Sequence, residues 1–440
     1  MGTFMTKDGT QFIESLDLKG TGLVGSSAGG SELARYMLRK TVLTVIAIVL
    51  CILLFLAISG CSGTIQTQGI ATMTSIATSE STSIARQPLP TLERPASFTD
   101  KQWLGKQLFF DPNLSQPPGQ ACKDCHDPAA GWADPNQDSP TSAGNIPGLF
   151  GNRNSPTVAY ASFSPDFHYD AAMTSYVGGQ FWDGRAKNVA DQAKGPILNP
   201  LEMNTANKQS VLDTIRTGPY ADLFMNVWGA NVFVNTETAY GDLAASIAEY
   251  EKTSEVSSFS SKYDDVLSGS ATLTDQEKRG LELFNGKAMC SKCHTSSADP
   301  ASGKVLFTDF SYDNVGVPKN PKNKFYTLAA KYNPAGVNFV DLGLGGQLKI
   351  PSENGKFKVP SLRNVALTAP YMHNGYFMNL TDVVRFYNTR DVASAGWPAP
   401  EVAQNVNKQD MGNLNLKDSE IDDIIVFLNT LTDTKFPTGK

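Results

Sequence analysis

Two short motifs concentrate the reactive side chains of this chain. Cys122-Lys123-Asp124-Cys125-His126 and Cys290-Ser291-Lys292-Cys293-His294 both read C-x-x-C-H. That spacing sets two thiols where they can add to the vinyl groups of one haem, with the histidine beneath the iron as proximal ligand. A lone C-x-x-C would equally suit a redox disulfide or half a zinc site. Here a histidine follows both pairs, and the other two of the six cysteines, Cys51 and Cys61, lie far away near the amino end. The expectation is two covalently bound c-type haems, with His126 and His294 on the irons.

The surroundings of the two motifs repeat. Thr99-Asp100, Gly105 and Leu108-Phe109 precede the first; Thr274-Asp275, Gly280 and Leu283-Phe284 precede the second, at a constant offset of 175. Thr-Asp ahead of an apolar-periodic stretch predicts a helix start, so each motif follows a short amphipathic helix. Residues 418–431 predict a final helix with Ile421, Ile424, Ile425, Leu428 and Leu431 on one face and acidic residues near its start. Strand signals are few. The fold expected is mainly α: two related cytochrome c-like haem domains, 98–262 and 263–440, with long loops. The 440 residues are 41% hydrophobic, enough for packed cores,. With 37 basic and 43 acidic residues the net charge is −6, which argues against a nucleic-acid partner,.

The amino end reads as an address. Residues 41–59, TVLTVIAIVLCILLFLAIS, carry no charge and follow Arg39-Lys40; they are long enough to span a bilayer. The next residues favour a cleaved signal. Ile58-Ser59-Gly60-Cys61 resembles a bacterial lipoprotein signal, in which the cysteine is lipidated and becomes the new amino terminus. Cys51, inside the apolar run, reads as filler. Residues 1–60 are thus a signal or membrane segment. Its first part, 1–36, reads as an extension ahead of a true start at Met37; an uncleaved anchor is the alternative. Residues 61–97, rich in Ser and Thr, predict a flexible tether. The rest is expected in the periplasm or at the cell surface, lipid-anchored to a bacterial membrane.

Blocks beyond the haem motifs resemble the bacterial dihaem cytochrome c peroxidase family, which includes the MauG-type enzymes. They are Arg153-Asn154-Ser155-Pro156-Thr157, Phe181-Trp182-Asp183-Gly184-Arg185-Ala186, the stretch 192–202 (QAKGPILNPLE), and Val359-Pro360-Ser361-Leu362-Arg363-Asn364 leading to Ala369-Pro370-Tyr371-Met372-His373-Asn374-Gly375. The resemblance covers about residues 98–433 and implies haems near the domain interface. It implies that peroxide reacts at the amino-terminal haem and that the carboxy-terminal haem supplies or stores an electron. Carried over residue by residue, Glu202 is the general acid/base, with Gln192 and Pro196 in its pocket. Moving a proton between the two peroxide oxygens is work a carboxylate does well. Trp182 corresponds to a tryptophan that relays electrons between haems. Arg363 and His373 fall among the cofactor-binding residues, His373 as support for a haem propionate. Asn154, Thr368 and Pro370 correspond to ligands of a calcium ion, which oxygen donors of this kind suit. Read by themselves, Glu202 is a surface carboxylate, Trp182 a core residue, and the last three turn residues.

The sequence departs from the better-known peroxidases twice. Those have a second histidine upstream of the NSPT block, and no histidine lies between His126 and Arg153 here. His168 is a nearby candidate beyond that block; if it is not a ligand, haem one is open to peroxide without reductive activation. Second, the residue fourteen after His373 is Tyr387 rather than methionine, as in MauG-type enzymes. A phenolate favours ferric and higher oxidation states, whereas a thioether raises the potential. If Tyr387 instead packs beside Val383 and Val384 on a helix starting near Thr381, Met372 or Met378 becomes the candidate ligand.

The function expected is that of an exported dihaem oxidoreductase reducing hydrogen peroxide. Electrons would come from a small protein donor, a cytochrome c or cupredoxin. The alternatives are MauG-type oxidation of a partner protein's side chains, or a pure electron-transfer cytochrome with both irons six-coordinate and no need of Glu202. A homodimer is common among the relatives.

Overall fold

The computed structural model describes residues 85–436. The apolar run 41–59, Cys61 and the tether up to residue 84 lie outside the described residues. Within these, ten α-helices and four short strands are linked by long loops and single turns of 3₁₀-helix. The first half runs α1 (Asp100–Phe109), β1 (His168–Asp170), β2 (Ser175–Val177), α2 (Val189–Leu198), α3 (Lys208–Arg216), α4 (Ala221–Trp228) and α5 (Thr236–Glu251). The second runs α6 (Lys262–Leu267), α7 (Asp275–Asn285), β3 (Tyr312–Asp313), α8 (Gly343–Leu348), β4 (Phe357–Lys358), α9 (Leu380–Thr389) and α10 (Asp418–Asn429). β1 pairs antiparallel with β2, and β3 with β4.

The repeated helix starts hold. Thr99 accepts from the Gln102 amide while the Gln102 side chain accepts from the Thr99 amide. Thr274 and Glu277 do the same for α7. Such reciprocal caps satisfy two otherwise orphaned donors. The repeated glycines have a packing reason. A Cβ on Gly105 would lie 1.9 Å from the Ser246 carbonyl oxygen, and one on Gly280 would lie 2.1 Å from that of Asp423. Each glycine therefore lets the helix that precedes its haem motif cross the last helix of its half, α1 over α5 and α7 over α10.

Two main apolar clusters form. One joins Leu104, Leu108, Phe109, Trp132, Ile197, Phe224, Leu243, Ile247 and Tyr250, and also takes in Leu306 and Phe310 from later in the chain. The other joins Phe284, Phe307, Ile421, Ile424, Phe427, Leu428 and Leu431. The halves are also tied by polar contacts. The Tyr160 hydroxyl donates to Asp433 at 2.6 Å, and Asn364 donates to the same carboxylate at 2.9 Å.

One expectation needs correcting. The tether does not extend to residue 97 as a free segment. Arg86 donates to the Thr214 carbonyl, the Gln87 amide to Asn113, and Leu89 and Leu92 pack on the first core. Two apolar residues and these bonds outweigh the Ser/Thr-rich character, which belongs to the residues before 85.

Candidate functional site

Each C-x-x-C-H motif folds as a 3₁₀ turn, Cys122–Asp124 and Cys290–Lys292, closed by the histidine amide donating to the carbonyl of the first cysteine, at 3.0 and 2.9 Å. The turn brings both thiols and the imidazole to one wall. The four cysteines are free of disulfides. His126 Nδ1 faces the Trp132 carbonyl at 3.4 Å, and His294 Nδ1 faces the Phe307 carbonyl at 3.1 Å. A backbone acceptor of this kind fixes ring orientation and tautomer. Burial lowers both imidazoles to about 4, so they stand neutral, the form that binds metal.

Both motifs line clefts. Cleft one encloses about 1190 Å³ and cleft two about 1220 Å³, part of each open to solvent. The walls are mostly apolar: Phe109, Val158, Val189 and Ile247 in the first, Phe284, Val359, Leu362 and Val384 in the second. Two apolar clefts, each floored by paired thiols and a neutral histidine, fit a covalently held haem apiece. Trp182 lines both. Its indole N–H donates to the Asn154 carbonyl at 2.8 Å.

Gln192 and Pro196, on α2, and Glu202, just beyond it, all line cleft one. Asn188 caps α2 by accepting from the Asp191 amide. Pro196 lies in the last turn, and Asn199 ends the helix, so the chain turns back and carries Glu202 to the cleft. Burial raises the Glu202 carboxyl above its ordinary range, while Arg185 and the Asn199 side chain oppose that rise. Glu202 also borders an opening to solvent shared with Phe181, Arg185, Lys187 and Asp191. The Arg185 guanidinium sits 3.6 Å from the centre of the Phe181 ring and donates to Asp183 at 2.9 Å. Arg185 has no role readable from its sequence block; its place emerges only from this opening. Glu251 was not anticipated. It ends α5, is 2% exposed, lines cleft one, and burial raises it to about 8. Leu243, Ile247 and Glu251 recur every four residues, so a carboxylate ending an apolar stripe was the available signal.

Cleft two brings together Tyr387, Met372 and His373. Tyr387 sits on α9, which starts one residue before the expected Thr381. Its hydroxyl lies 4.0 Å from the Met372 sulfur, so both ligand candidates face the same space. Met378 is 43% exposed and away from it. His373 stacks on Phe357, centroids 3.5 Å apart, and its Nε2 is buried without a partner. Lys358, also unanticipated, is half-buried beside Trp182 on the same cleft, and its partial burial lowers it to about 7.

Arg363 is not brought to either cleft. Its guanidinium is 1% exposed, binds Asp264 at 2.9 and 2.8 Å and donates to the Val305 carbonyl at 2.7 Å. Three of its five N–H groups are thus committed within the fold, as in a structural clamp, and the residue lines neither cleft,. His168 is exposed on β1, its Nδ1 facing the Asp166 carbonyl at 2.8 Å, and lines neither cleft. Asn154, Thr368 and Pro370 share a third cleft with Trp182. The Asn154 side chain turns its NH₂ toward the Pro370 carbonyl; a cation there would require the amide turned over, and these neutral oxygens then suit calcium.

Comparison with known proteins gives the family. Residues 99–272 match the family described as di-haem cytochrome c peroxidase. The chain is 38% identical over 350 residues to the methylamine utilization protein MauG of Paracoccus denitrificans, covering 76% of this chain and 88% of that protein. It is 33% identical over 305 residues to the cytochrome c551 peroxidase of Pseudomonas aeruginosa, covering 69% and 75%. Among solved structures, the diheme peroxidase BthA from Burkholderia thailandensis aligns with a TM-score of 0.67 at 33% identity, over 78% of this chain and 88% of that one.

Proposed function

The chain belongs to the dihaem cytochrome c peroxidase family, and from that premise we propose that it reduces hydrogen peroxide at cleft one without prior reductive activation. It is a dihaem peroxidase-like oxidoreductase. Cys122, Cys125 and His126 would hold one haem, Cys290, Cys293 and His294 the other, and these groups supply the redox chemistry. The chain's own residues supply protons, orientation and access. Peroxide enters past Arg185 and Phe181. Glu202, as carboxylate, takes a proton from one peroxide oxygen and returns it to the other, which leaves as water. The Gln192 amide offers both a donor and an acceptor to hold the peroxide. Trp182, touching both clefts, passes electrons between them. Calcium at Asn154, Thr368 and Pro370 would steady that junction.

The observation that carries the reading is the convergence of Gln192, Pro196 and Glu202 on the cleft floored by His126, with no other histidine lining it. The electrons would come from a small cytochrome c or cupredoxin. A second reading, oxidation of a partner protein's side chains, is favoured by Tyr387 facing cleft two. Export and a lipid anchor at Cys61 complete the proposal.

The test mixes the fully oxidised protein, both haems attached, with hydrogen peroxide, followed optically and by EPR. Prompt reaction and peroxide loss are expected. Reaction only after one-electron reduction would mean a concealed ligand at cleft one. No reaction in either state would leave an electron carrier. Y387M should alter the cleft-two signals alone; unchanged spectra would pass the ligand role to Met372.

A further inference from the structure

The β1–β2 hairpin carries a line of aromatic rings that packing alone does not require. Tyr169 pairs with Tyr176 across the strands, their ring centroids 5.1 Å apart. Tyr176 stacks on Phe167 at 5.5 Å and 4°, and Phe167 meets Tyr312 edge-on at 5.9 Å. At the outer end Tyr169 is 54% exposed, with Met173 at the tip 43% exposed. Every other described tyrosine is buried or half-buried. At the inner end Tyr312 is 4% exposed and donates to the Gly178 carbonyl at 2.6 Å. Tyr312 pairs with Lys358, whose amide donates to the Trp182 carbonyl at 2.9 Å. Gly184, two residues after Trp182, lies against both inner rings, for a Cβ there would be 2.5 Å from the Tyr312 hydroxyl and 2.6 Å from Phe167.

We propose that this ladder is a path for electrons from the protein surface to Trp182, with Tyr169 as its oxidisable outer terminus. The inference rests on the peroxide reading above. The four rings in contact give a short series of tunnelling steps, and the last step, from Tyr312 to Trp182, runs through the Lys358 backbone. Phe167 bridges without being oxidised, and the phenols are the oxidisable members. When Tyr169 gives up an electron inward, its phenolic proton goes to bulk water, since the ring stands in solvent. The electron is consumed in peroxide reduction. Two Tyr169 phenoxyl radicals, on two molecules, couple through carbon. Overall, one hydrogen peroxide takes two electrons and two protons from two tyrosines, giving two waters and one dityrosine.

The experiment treats the haem-loaded full chain with hydrogen peroxide and no added donor. It follows peroxide loss, dityrosine fluorescence and the site of cross-linking by peptide mass spectrometry. Expected are dityrosine at Tyr169, its absence in Y169F, and a several-fold loss in Y176F, which keeps the ring stack but removes the inner phenol. Peroxide loss with Tyr169 unmodified overturns the ladder and leaves the peroxide reading standing. Equal modification of Tyr169 in Y176F and the parent protein also overturns it, because oxidation then arrives from solution. No peroxide loss in the parent protein overturns both.

Discussion

At Glu202 burial and Arg185 pull in opposite directions, and burial prevails. A carboxylate needed as a proton acceptor is lost as pH falls through its pKa, and a raised pKa moves that loss upward. The acid limb of kcat/KM for peroxide should therefore lie above the ordinary carboxylate range of about 4.3. Removing the charge with R185Q should move it higher still. E202Q should abolish the limb and cost about 10²–10⁴-fold in rate; retention of both rate and limb would remove Glu202 from the proton path. Both C-x-x-C-H runs were legible from their spacing; Gln192, Pro196 and Glu202 were reached only through the family resemblance of their stretch, since alone they carry no pattern. The place of Arg363 was not legible. Its block is the same kind of signal, but its direction is decided by Asp264, ninety-nine residues earlier.

The two helix crossings account for the internal repeat. Thr99 and Thr274 were readable as caps because capping is local. Gly105 and Gly280 were visible only as matching letters, since what they avoid is a carbonyl on a helix far along the chain. G280A would force α7 off α10, and overpacking of this kind costs about 1–3 kcal/mol. Thermal unfolding of the haem-loaded protein should show a lower Tm for G280A and G105A alike. An unchanged Tm would mean the helices can part without loss. The hairpin of β1 and β2 was missed altogether: each strand spans three residues, too short for an alternating pattern to register.

Across the whole molecule, the mainly helical character followed from composition and periodicity, whereas the contacts joining the two halves did not. Tyr160, Asn364 and Asp433 meet through bonds spanning 273 and 69 residues, which no local pattern encodes. Y160F would remove one bond to a carboxylate and strip the Phe259 amide of its acceptor. A loss of about 1–3 kcal/mol is expected, measurable by denaturant unfolding; a neutral effect would mean Asn364 and Ser260 suffice to hold Asp433. Trp182 joins the halves differently. Its indole N–H is already committed to the Asn154 carbonyl, and an amide oxygen is far too weak a base to accept that proton. On the proposed relay, charge crossing between the clefts through this ring would therefore travel unaccompanied, as an indole radical cation. Such a crossing would run equally fast in ordinary and heavy water, while the proposed proton handling at Glu202 would slow, so the solvent isotope effect separates the two events within one turnover.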